Sequence, residues 1–423
     1  MTESTRDIKP KLRPIDVFPV ELEGERKICL RDRTGIADGP LIFPFDTALA
    51  FLLESFDGEH TLRAIQLQYI SQLCQIILTR QIAELVHLLD QHGYMEGPAF
   101  EQRLEARRRH YLELPERPPT LTFGSTPAEA LGELKAQFRR DRDHPFSPDG
   151  LALDIQPGSV RAILAPHIDY FRGGYAYACA YQALATGSSA DVFVILGTIH
   201  HPMSIPFAAT RKPYQTPLGS LPVAEDFLDA LQARLPKSDL LADEFAHANE
   251  HSIELQVLYL QHALKDRAAG IRIVPILVDS FAQDIARRRS PRRRPRVARF
   301  LDALRETLAD APQPVCLIGG VDFSHVGPHF GAQEPVTDAQ LEDLALRDQA
   351  MLGHIEMVDA EAFIESFFED GNASNVCSVA PIYCILDVLA GQCRGKILRY
   401  GQALDSDRGG VVTFGAVAFQ HNP

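Results

Sequence analysis

No stretch of the chain approaches the roughly 18 consecutive apolar residues that a membrane-spanning helix requires, and no internal repeat is visible. The first residues, Met1 to Pro14, are polar and mixed in charge and lack the apolar core of a secretory leader. Positive charge is in deficit. With 42 Lys and Arg against 56 Asp and Glu the formal net charge is −14, which argues against a general nucleic-acid or anionic-membrane binder. The seven cysteines (Cys29, Cys74, Cys179, Cys316, Cys377, Cys384 and Cys393) are odd in number and scattered, with no CxxC pair. That excludes a disulfide framework or a zinc finger of ordinary spacing and points to reduced thiols in a cytoplasm. What is present is ordinary globular material. The 423 residues are 45% hydrophobic and 23% charged, enough for two or three domains and a real core.

Residues 16 to 40 alternate loosely around Gly24, Gly35 and Gly39 and read as short strands and turns. A helix follows with Asp46 as cap, a second starts near Thr61, and a third covers Arg80 to Gln91 with its exit at His92-Gly93. A short Tyr94-Met95-Glu96 strand completes the order of a small winged-helix-like domain, residues 1–112. Residues 100 to 115 are charged and Arg-rich, and prolines cluster from Pro115 to Pro119, so 113–120 reads as a linker. Beyond it, over 121–423, apolar strands such as Val160–Ala165, Val192–Gly197, Ile271–Val278 and Val315–Val321 alternate with helical segments. This order predicts βαβ units: an α/β fold with a largely parallel sheet flanked by helices. The arginine run from Arg287 to Arg299 reads as a solvated loop leading into a helix.

Five clusters near element ends can carry chemistry. His167, with Asp169, follows a buried strand that stops at Pro166. His200-His201 follows the strand VFVILG; adjacent side chains diverge, so one of the two faces a site there. Glu250, His251 and Glu254 open a helix, where Glu is also favourable to the dipole for structural reasons alone. Asp322 and His325 follow the strand CLIGGV, and Asp322 can orient a neighbouring imidazole. Cys377 precedes a helix, where the dipole favours the thiolate for metal ligation, nucleophilic attack or redox sensing. Strand ends in open α/β sheets are where ligands collect, and imidazoles plus an anionic ligand suit zinc, copper or iron.

Together the pieces LAPHIDY, VILGTIHHP, YQTPLGSLPV, NEHSIELQVLYL, IVPILV, VDFSHVG and NVCSVAP, in that order over about residues 121 to 423, resemble the Memo family, called AmmeMemoRadiSam system protein B in bacteria and archaea. The resemblance implies a fold similar to the class III extradiol dioxygenases. It implies a site for iron (Fe2+), or copper or zinc, on His167, His200 and Cys377, with His325 as general acid/base and Asp322 holding an imidazole. His251, Glu250, Asp169 and His201 would then line the substrate pocket, and dioxygenase-type redox chemistry on a small molecule would follow. The family name implies radical-SAM and AMMECR1-type companions. The chain departs from the family where PHAGY becomes Pro166 to Tyr170 with Asp169, and where Cys-Gly becomes Cys377-Ser378. The stretches FDTALAFLLESFDGEHTLRAI and IAELVHLLDQHGYME resemble PqqD-like, peptide-recognising winged-helix domains. Two further readings stand beside the metalloenzyme. One is a partner-binding scaffold with a vestigial pocket; the other is a hydrolase with Cys377 as nucleophile and His325 as base.

Overall fold

Glu23 and Gly24, both at positive φ, make the two-residue turn that joins β1 (Asp16–Leu22) to β2 (Glu25–Arg31). In the computed structural model, which describes residues 7–32, 34–147, 154–236, 240–405 and 409–422, this hairpin belongs to the first of two units, Met1–Leu114 and Pro115–Pro423. On its other side β2 pairs with β3 (Leu41–Pro44). The Asp46 carboxylate accepts from the Ala48 amide and starts α1 (Thr47–Glu54), and Thr61 does the same for α2 (Leu62–Leu73) through the Ala64 amide. After α3 (Thr79–Gln91) the chain turns at Gly93, and Met95 bridges Leu12. The Arg-rich stretch, expected to lead into a linker, is a helix, α4 (Pro98–Glu113). Pro98 opens it, its long unbranched side chains favour helix, and Tyr111 is its buried residue. Ile28, Leu30, Leu52, Ile65, Ile82 and Leu89 fill the core of this unit.

The segment 115–120 is not a free linker. Arg117 is fully buried in the second unit, where its guanidinium pairs with Glu254 and donates to the carbonyls of His247 and Glu250. Next come α5 (Pro127–Asp143), β4 (Val160–Ala165), α6 (Tyr170–Gly187) and β5 (Val192–Thr198). The short strands β6 (Phe207–Ala209), β7 (Tyr214–Thr216) and β8 (Gly219–Leu221) lead to α7 (Glu225–Ala233), α8 (Ser252–Ala263) and β9 (Arg272–Val278). Then follow α9 (Ala282–Ala286), α10 (Pro295–Asp310), β10 (Val315–Gly320), β11 (Asp322–Val326), α11 (Asp338–Met357), α12 (Ala360–Glu365), α13 (Val379–Leu389), β12 (Cys393–Asp405) and β13 (Gly410–His421).

The central strands β4, β10, β5 and β9 are parallel, as the βαβ pattern predicts, while β11, β12 and β13 on one side and β6 on the other pair antiparallel. Alternation along each strand divides the core. Ala162, Leu164, Val194 and Leu196 pack on one face, and Ile163, Ala165, Phe193 and Ile195 on the other. Much of the arginine run is paired rather than solvated: Arg289 and Arg294 meet Asp284, and Arg292 meets Asp302 and Asp387. Among the described residues no helix is long and apolar enough to cross a membrane.

Candidate metal centre

Parallel pairing brings the carboxyl ends of β4, β5 and β10 to one edge of the sheet. Pro166 stops β4 and presents His167; two residues beyond the end of β5 comes His200. Opposite them, His251 is the N-cap residue of α8, and Cys377 stands just before Ser378, the N-cap of α13. Gly320, at the end of β10, must be glycine, because a Cβ there would lie 2.7 Å from the Ser252 carbonyl. The close approach lets its own carbonyl meet both His167 and the Thr198 hydroxyl.

Each of three imidazoles has its Nδ1 against an acceptor. For His167 this is the Gly320 carbonyl at 3.0 Å. For His200 it is both oxygens of Glu250 at 3.1 Å, and for His251 one oxygen of the same carboxylate at 3.2 Å. In a neutral ring, an Nδ1–H donated outward leaves the lone pair on Nε2, which is the arrangement that orients metal-ligating histidines. Backbone contacts fix the rings further. The His167 amide donates to Asp322 at 3.0 Å, and those of His200, His251 and Ser252 donate to Glu250 at 2.9, 2.8 and 2.9 Å. One ligand nitrogen of each of His167, His200 and His251 lies within 4.8 Å of the other two. The Cys377 sulfur lies 3.5 Å from His167 Nε2.

Charge is balanced tightly here. Burial pushes the Cys377 thiol up, but the charge of His167 and hydrogen bonds with His167 and His200 bring it down to about 7. Burial lowers His200 as well, yet its contacts with Cys377 and Glu250 carry it to about 10. His251, where burial dominates, falls to about 4. Glu250 stays ionised despite burial because His200 and His251 surround it. Asp322, fully enclosed, rises to about 6, held back by the charge of His325 and by backbone donors. His325 is lowered by burial; its Nδ1 faces the Phe323 carbonyl at 3.0 Å and its ring meets Phe330 edge-on.

The structure thus gathers His167, His200, His251 and Cys377, with Glu250 behind two of the rings and an Asp322 oxygen 3.5 Å from His167 Nε2. Two assignments change place. Glu250, expected at the mouth of the pocket, is 1% exposed and sits behind the imidazoles. His251, expected to meet substrate, joins the imidazole group itself. Asp169 does not enter the group. It caps α6 through the Arg172 amide and pairs with the Arg172 guanidinium, half exposed. His201 lies outside the group. Asp322 and His325 are both on β11, a short strand that follows β10. Small polar residues that carry no sequence signal lock the edge. Ser378 Oγ accepts from the Asp322 amide and bonds the Thr198 hydroxyl, each at 2.9 Å, and Ser252 donates to the Thr198 carbonyl.

An α/β unit with histidines gathered at the carboxyl edge of its parallel strands defines the class. The family follows from comparison: the Memo-like protein family model matches residues 124–418, and the chain belongs to that family. A MEMO1 family protein of Aquifex aeolicus is 25% identical over 97% of this chain and 100% of its own length. Relatives from Thermus thermophilus and Methanopyrus kandleri, also MEMO1 family proteins, are each 28% identical, over 82% and 72% of this chain and 95% and 99% of theirs. The crystal structure of an uncharacterized Escherichia coli K12 protein is 16% identical and covers 61% of this chain and 99% of its own, with a TM-score of 0.38.

Proposed function

We propose that this chain is a metal-binding redox protein in which His167, His200 and Cys377, with His251 beside them, hold one divalent iron or copper ion. The observation that carries this reading is that one ring nitrogen of each of His167, His200 and His251 lies within 4.8 Å of the other two beside a thiol, with the Nδ1 of each ring next to an acceptor. Imidazole and thiolate donors together suit iron, copper and zinc and disfavour magnesium or calcium. A bound iron or copper would supply one-electron chemistry and an open position for a substrate oxygen or O2. The chain's own part is positional. Glu250 and Gly320 hold the imidazole tautomers, Asp322 holds the His167 backbone, and the α13 N-terminus favours the Cys377 thiolate. His325 Nε2, freed by the contact of Nδ1 with Phe323, is the group to move a proton in dioxygenase-type chemistry on a small substrate. We read the N-terminal unit as the winged-helix-like, peptide-recognising part that would engage radical-SAM or AMMECR1-type companions. Its helical order α1 to α3 and the Met95 bridge support that reading.

The test is metal content by mass spectrometry on protein purified without oxygen or chelator, beside His167→Ala, His251→Ala and Cys377→Ala. The expected result is about one equivalent in the parent, lost with His167 and sharply reduced with Cys377. A parent that stays empty after anaerobic reconstitution with iron and with copper overturns the proposal. Full retention in His251→Ala would assign that ring to substrate instead.

A further inference from the structure

A second concavity lies at the opposite edge of the sheet, where β4 and β10 begin. It encloses about 420 Å³, within the range that takes a small organic ligand. Its walls are chemically divided. Leu308, Leu317, Val388 and Leu389 give it an apolar body, and Arg161, Arg305, Gln313 and His421 give it a polar end. No carboxylate is among the described lining residues. The two guanidiniums differ in what they have left to offer. Arg305 is already committed to Asp302 and to Asp387, whose carboxylate it meets at 2.8 Å. Arg161, on β4, has no ion-pair partner among the described residues. A half-buried guanidinium with no ion-pair partner, beside a cavity of mixed polar and apolar lining, is left free to meet an anion, and its planar fork matches a carboxylate. One uncommitted charge calls for one negative charge on the ligand. The apolar walls call for a hydrocarbon body behind it.

We infer that this cavity is a binding site for a small amphipathic monocarboxylate, its carboxylate on Arg161 and its hydrocarbon part between α10 and α13. The site is separate from the imidazole group, since Arg161 opens β4 and His167 follows its other end, and the inference does not depend on the metal reading.

The probe is octanoate, with octan-1-ol and inorganic phosphate as controls, added to the full chain and followed by titration calorimetry and melting temperature. Octanoate should bind and raise the melting temperature, while neither control does. Arg161→Gln should weaken octanoate roughly ten-fold or more, the loss expected for a charge-assisted pair. Ala309→Phe, at the exposed end of α10, should fill the cavity and abolish binding without touching the charge. Equal binding of octanoate and octan-1-ol, binding unaltered in both variants, or no binding at millimolar concentration would each overturn the inference.

Discussion

Glu250 governs the site at the scale of a single residue. Its buried carboxylate accepts from the His200 imidazole and three backbone amides and lies 3.2 Å from His251 Nδ1, more than an amide side chain can match, because an amide nitrogen cannot accept. Glu250→Gln should therefore leave the fold intact by circular dichroism but release His200 from its fixed tautomer and remove the carboxylate charge beside His251. Iron or copper affinity should fall about 10- to 100-fold, the range for loss of an outer partner of a ligating histidine, measured by competition with a chelator of known affinity. Undiminished affinity would show that the rings are held by packing alone.

At the scale of elements, the helix behind His167 is seated by missing side chains. In α6, Gly174 faces α5, where a Cβ would stand 2.1 Å from the Asp141 carboxylate. That carboxylate is itself bound to Gln137 at 2.6 Å and the Tyr259 hydroxyl at 3.2 Å, so it has little freedom to move aside. Gly174→Ala should cost about 1–3 kcal/mol of stability through overpacking, read as a lower denaturant midpoint with unchanged slope. An unchanged midpoint would mean that Asp141 swings away freely. The apolar periodicity of α8 and α13 was plain in the sequence, yet neither helix showed that its first residues meet the ends of β4 and β5.

Across the whole molecule, the two units hold buried carboxylates of opposite behaviour. In the first, burial raises Asp32, but hydrogen bonds from Thr34, Ala37 and Arg13 outweigh it and hold the group at about 2. A lowered folded value gives stability that is present above about 4 and lost as pH falls toward 2, on the order of 2 kcal/mol. In the second unit, burial raises Asp141 to about 6. A raised folded value gives stability that is full below about 4 and lost as pH rises through 6, on the order of 2–3 kcal/mol. Hydrogen exchange read by peptide should show protection in the second unit increasing from pH 7 to 5, after correction for intrinsic rates, and Asp141→Asn should reduce that rise, leaving the share carried by Asp322. Protection in the first unit should fall below pH 4. Parallel changes in both units would contradict these assignments.

Period and residue type along the chain determined the α/β class, the bounds of strands such as Val160–Ala165, the cap at Asp46, a helix starting near Thr61, and the blocks containing His167, His200, Asp322 and Cys377. These features are local, set by side-chain alternation and by which residue can satisfy a helix end. Only the tertiary structure decided that Glu250 lies behind the imidazoles, that His251 joins them, that Asp169 merely caps a helix, and that Arg117 anchors what read as a linker. The first, second and last of these rest on contacts between elements far apart in the chain. The order of residues does not encode which side of a helix end faces which strand; close packing of the α8 start against the sheet edge at Gly320 fixes it.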